Sequence, residues 1–152
     1  MEVAHSKSKL FYYLRVWIGF VGLMAFGNAV QCFVDDSFIK SRLYTREPSQ
    51  VTGLVARLFG VWTLLAGVLR LYCAIDIYNK SVYNLTFVSF ILAFGHFLSE
   101  LCIYHTAHVS FGVMSPIVVS GFSMLAMLIG YRYLNPKTSF EDVSTKFKTK
   151  RS

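Results

Sequence analysis

The sequence predicts an all-α membrane protein, a four-transmembrane-helix bundle with short loops and a flexible, basic C-terminal tail. Three observations carry that prediction. Hydrophobic residues make up 55% of the 152 positions and aromatic residues 16%, and the mean hydropathy is +0.50, well away from soluble compositions. The apolar residues gather into four runs, each close to the ~20 residues that cross a bilayer as a helix. The basic residues behind the net charge of +7 concentrate at the two ends of the chain, where they bias topology and favour a membrane surface over nucleic acid.

Residues 1–15 form a basic cytosolic leader with Lys7, Lys9 and Arg15. The membrane domain covers 16–134, with spans at about 16–34, 55–75, 82–104 and 109–133. Val16–Val34 carries no formal charge and exceeds the ~7–15-residue core of a signal peptide, so it is expected to be a retained span. Asn28 and Gln31 share one face of it, and amide hydrogen bonds from them are expected to dock the first span. A loop follows at 35–52, where Pro48 breaks any helix. The second and third spans form a hairpin through Tyr78-Asn79-Lys80. The connection 105–108 leads into the fourth span, and the tail occupies 135–152. Cys32, Cys73 and Cys102 lie inside apolar runs without metal-ligand spacing, and read as small packing residues.

The hairpin is the centre of the chain. Counted from a turn between Tyr78 and Asn79, Arg57 and Glu100 come to similar depth on opposite limbs. Gly53, Arg57, Gly60, Leu64 and Gly67 form one stripe, and Thr86, Ser89, Ala93, His96 and Glu100 form another. These stripes are expected to meet as the hairpin seam, with Arg57 and Glu100 paired across it and His96 beside them. At that depth the two charges could instead face water at the interface.

Four spans place both termini on one side. That side holds ten Lys and Arg against three on the other, so the positive-inside rule makes both termini cytosolic. The sequons at Asn79 and Asn84 then escape glycosylation. His96, Glu100, His105 and His108 are the one metal-like constellation, and hydrogen-bonded seam and interface roles outweigh it, so no metal or cofactor is expected. Phosphate-binding glycine loops and nucleophile elbows are absent from the sequence. An alternative function is a small proton- or ion-coupled carrier running through Arg57, His96 and Glu100.

The stretches ARLFGVWTLLAGVLRLYCAIDIYNK, LAFGHFLSELCIYHTA and FGVMSPIVVSGFSML closely resemble the ergosterol biosynthetic protein 28 family. Arg15-Val16-Trp17, residues 26–33 and Leu43-Tyr44-Thr45 fit the same family, and the resemblance covers about 12–134. It implies an endoplasmic-reticulum membrane protein with no catalytic residues. Its implied role is a tether for the sterol C-4 methyl oxidase, the C-3 dehydrogenase that decarboxylates at C-4, and the 3-keto reductase. Other sterol-synthesis enzymes and self-association are further expected contacts. The last five residues resemble a K-x-K-x-x retrieval signal, with Lys148 and Lys150 as its lysines.

Overall fold

In lipid the backbone must satisfy its own polar groups, so each apolar run closes into a helix. The computed structural model of the chain describes residues 2–134, with side chains from Lys9 onward. The tail, with Lys148 and Lys150, lies outside the described residues. Helix α1 (Glu2–Val34) continues without a break through the basic leader. A short helix α2 (Ser37–Arg42) and a single 3-10 turn (Pro48–Gln50) shape the first loop. Helices α3 (Gly53–Ile75) and α4 (Lys80–Cys102) form the hairpin, and α5 (Phe111–Tyr131) closes the bundle. Thr52 and Asn79 start α3 and α4 by accepting the Val55 and Val82 amides, each at 3.3 Å, as N-cap side chains do.

Four of these helices are long and apolar enough to cross a membrane: Lys9–Val34 within α1, then α3, α4 and α5. They run alternately up and down. The α1/α3 pair is the tightest, because small residues let the backbones approach. A Cβ at Gly67 would meet the Gly22 carbonyl oxygen at 3.2 Å, one at Gly22 would meet Leu71 at 3.0 Å, and one at Gly60 would meet Cys32 at 3.0 Å. The glycine stripe of α3 therefore faces α1, which corrects the α3 half of the expected seam; Thr86 and His96 of the α4 stripe do face α3.

The α3/α4 seam uses the opposite side of α3. The Thr86 hydroxyl donates to the Leu69 carbonyl at 3.4 Å, Trp62 meets the His96 ring at 5.0 Å, and Phe59 meets Phe97 at 6.3 Å. Helix α5 packs on α4 through the Tyr83 hydroxyl, which donates to the Met127 carbonyl at 2.6 Å. It packs on α1 through the Trp17 indole N–H, which donates to the Ser123 hydroxyl at 2.9 Å. Each of these polar groups is thus satisfied inside the bundle, where an unmade hydrogen bond is expensive. Two cores result. One, at the Tyr78 turn end, centres on Ile18, Cys73, Tyr83, Phe90 and Met127. The other, at the loop end, centres on Cys32, Ile39, Leu43, Phe97 and Val113.

Candidate functional site: a loop-end polar latch and a buried arginine

The first loop folds back over the ends of α4 and α5. Its backbone joins the last loop directly: the Arg46 amide donates to the Thr106 carbonyl at 3.1 Å. The His108 amide donates to the Thr45 hydroxyl at 3.3 Å, and the Arg46 Nε donates to His108 Nδ1 at 3.2 Å. At the start of α5 a Cβ on Gly112 would collide with the Arg42 carbonyl oxygen, so that approach admits only glycine. His105 takes a left-handed backbone, φ 54°, to turn the chain out of α4.

Beneath this lid lies a chain of four side chains. Tyr44 and His96 Nε2 are 2.7 Å apart. His96 Nδ1 lies 3.9 Å from the Glu100 carboxylate, and Thr106 donates its hydroxyl to the other Glu100 oxygen. The carboxylate favours the imidazole proton on Nδ1, which leaves Nε2 to accept from the Tyr44 hydroxyl. Burial, and then the charge of Glu100, push the Tyr44 hydroxyl above the ordinary tyrosine range, so it stays a neutral donor. Trp62 and Phe97 enclose the imidazole, with ring centroids at 5.0 and 5.2 Å. The arrangement can hold one proton in place between a phenol and a carboxylate. It also ties the loop to α4.

Arg57 is not part of it. The side chain is exposed, and among the described residues its only expected partner, Glu100, is engaged by His96 and Thr106. The expected Arg57–Glu100 pair is corrected for a rotational reason. Arg57 precedes the seam residue Phe59 by two positions, ~200° around the helix, although its depth was counted correctly. The carrier path through Arg57, His96 and Glu100 is therefore not assembled. Asn28 and Gln31 share a face of α1 as expected, but that face is exposed, and no side-chain hydrogen bond from either is found among the described residues. The first span docks through glycine contacts instead. His105 and His108 are engaged separately, by the Leu101 carbonyl and by Arg46. Among the described residues, no three of His, Cys, Asp and Glu gather as a metal site would require.

Two functional candidates escaped sequence reasoning. Tyr44 lies in a loop, where no periodicity marks a contact to α4. Arg70 stands near the end of an apolar run, and nothing in the sequence gives the direction of its side chain. It is 8% exposed, its Nε is buried without a partner, and its guanidinium lies 4.3 Å over the Phe90 ring. A cation–π contact contributes ~0.5–2 kcal/mol, whereas an arginine at the centre of a span costs ~2.5–3.5 kcal/mol on permissive scales, an upper bound for Arg70, which lies five residues before the end of α3 at Ile75. Phe90 offsets part of that cost.

Helices satisfied from within, a loop latch and, among the described residues, one buried arginine without a hydrogen-bond partner define a small polytopic α-helical membrane protein. The family model described as "Erg28 like protein" matches residues 14–125, and the chain belongs to that ergosterol biosynthetic protein 28 family. Ergosterol biosynthetic protein 28 homolog from Homo sapiens is 50% identical over 127 residues, covering 84% of this chain and 91% of the relative. Ergosterol biosynthetic protein 28 of Saccharomyces cerevisiae is 36% identical over 115 residues, covering 76% and 78%. That of Schizosaccharomyces pombe is 41% identical over 111 residues, covering 73% and 80%. No solved structure matches the chain.

Proposed function

We propose that this chain is a non-catalytic scaffold of the endoplasmic-reticulum membrane serving sterol biosynthesis. It tethers the C-4 methyl oxidase, the C-3 dehydrogenase that decarboxylates at C-4, and the 3-keto reductase. The observation that carries this reading is family membership, with 50% identity over 127 residues to a relative named for ergosterol biosynthesis. Two structural features support it. The most apolar window of each span is only 17–33% buried within the chain, which leaves most of every helix to lipid or to partner helices. Asn28 and Gln31 sit on the open face of α1, where they can hydrogen-bond a partner's helix. A tether raises the effective concentration of enzymes that share one apolar substrate, without itself making or breaking bonds.

Affinity purification of the tagged full chain from detergent-solubilised membranes, read by mass spectrometry, tests the proposal. The three enzymes are expected in the eluate. Asn28→Leu combined with Gln31→Leu should lower their recovery several-fold at unchanged abundance of the chain. An eluate without any of the three overturns the scaffold reading.

A further inference from the structure

Arg70 is the one buried charged side chain among the described residues. The hydrogen bond from Thr86 to the Leu69 carbonyl sets those two residues level, and so sets Arg70 level with Leu85. Phe90 lies five residues beyond Leu85, and although its ring leans back toward the start of α4 it stays on the far side of that level from the turn. A guanidinium over the Phe90 ring is therefore directed away from the nearer membrane face and into the hydrocarbon. That is the opposite of snorkelling.

Among the described residues it has no counter-ion. Glu100 is the only acidic residue within the four spans. It is held by Thr106 and His96 and lies ten residues past Phe90, ~15 Å along α4. Asp76, at the C-terminal cap of α3, accepts from Asn79 at 3.3 Å. The neighbouring Thr86 and Ser89 hydroxyls donate to the Leu69 and Thr86 carbonyls. No hydrogen bond or ion pair to the guanidinium is found among the described residues, and its Nε is fully covered.

We infer that Arg70 binds the carboxylate of a lipophilic ligand, an apolar molecule carrying a single carboxylate at hydrocarbon depth. An arginine stays charged in a protein, and its planar fork matches a carboxylate bidentately. The depth requires that the anion arrive on an apolar body. A phospholipid head group stays at the surface from which this side chain points away. Two sources share the chemistry: a fatty acid, and a sterol carboxylate such as a decarboxylating enzyme consumes. The sterol source rests on the scaffold reading above, and the fatty-acid source does not.

The test uses the full-length chain in nanodiscs of phosphatidylcholine. Binding is measured for oleate, a 4-carboxysterol, and their uncharged counterparts, oleyl alcohol and the 4-methylsterol. The wild type should bind at least one carboxylate ten-fold or more tightly than its uncharged counterpart. Arg70→Lys should weaken that binding several-fold. Arg70→Gln should abolish the preference and leave the uncharged ligands unaffected. Preference for oleate alone identifies a fatty acid, and preference for the 4-carboxysterol identifies a sterol. Wild type that fails to distinguish either carboxylate from its counterpart overturns the inference, as does unchanged preference in Arg70→Gln. A crosslink from position 70 to an acidic residue of a co-purifying helix, with no carboxylate preference, overturns it in favour of a protein anion. If Arg70→Gln does not fold, the several-fold loss in Arg70→Lys decides. Recovery of the sterol enzymes is scored on the same preparations. Enzymes recovered without carboxylate preference reject this inference alone, and carboxylate preference without enzymes rejects the scaffold alone.

Discussion

Glu100 would be costly as a lone carboxylate near the end of a span, and it is kept by two neighbours. Thr106 donates to one oxygen, and His96 Nδ1 lies 3.9 Å from the other. Tyr44→Phe leaves His96 Nε2 without its partner and should cost about 1 kcal/mol, at the low end for a half-buried unmet acceptor. Thermal unfolding in detergent would show it, and an unchanged midpoint would contradict the latch. A pH dependence follows from the same residue. Burial and Glu100 raise the Tyr44 ionisation, so the unfolded chain loses this proton first as pH rises. The associated stability is complete below the ordinary tyrosine value of ~10 and is lost as pH climbs from there toward the folded value. Tyr44→Phe should flatten that alkaline limb. Arg57→Ala should change stability by less than about 0.5 kcal/mol, as exposed substitutions do, and exchanging the Arg57 and Glu100 charges should rescue nothing. Depth was legible in the sequence for both, because residues can be counted from a turn. Rotation was not, because it depends on which of two neighbours takes the glycine face.

At the scale of elements, every span was legible, because runs of some twenty apolar residues admit little but a helix. The choice of partner was not. The glycines that seemed to belong to the α3/α4 hairpin serve α1, which approaches until Gly22 and Gly67 nearly touch. Gly67→Ala would press a methyl group on the Gly22 carbonyl and the Ala25 side chain, and should cost ~1–3 kcal/mol as overpacking does. Gly112→Ala should cost at least as much, because the obstacle is the Arg42 backbone and not a yielding side chain. Gly27→Ala is the control, since nothing lies within 4 Å of the added carbon. A shift in unfolding midpoint as large as that of Gly67→Ala would contradict the packing described. The loop latch was the least legible element. Its residues are held by partners 60 or so positions away, such as Arg46 with His108, and loops carry no period from which such pairs could be read.

At the scale of the molecule, four spans return the chain to the side on which it began. From the ten-to-three division of Lys and Arg we propose that this side is the cytosol. Tags at either end should be digested by protease added to sealed microsomes, and a glycan on Asn79 would reverse the orientation. The retrieval signal we propose at Lys148 and Lys150 depends on the same topology, because such a signal needs a cytosolic tail. A neutral reporter fused to the last residues should stay in the endoplasmic reticulum and escape when both lysines become serine. We propose that the chain brings enzymes together without taking part in their chemistry. The most direct test is co-purification of the C-4 methyl oxidase with the dehydrogenase and the reductase, from cells with and without this chain. The enzymes are expected to co-purify only when the chain is present, while each keeps its specific activity when assayed alone. Enzymes that associate equally well without it, or an isolated enzyme that is inactive until the chain is added, would contradict it.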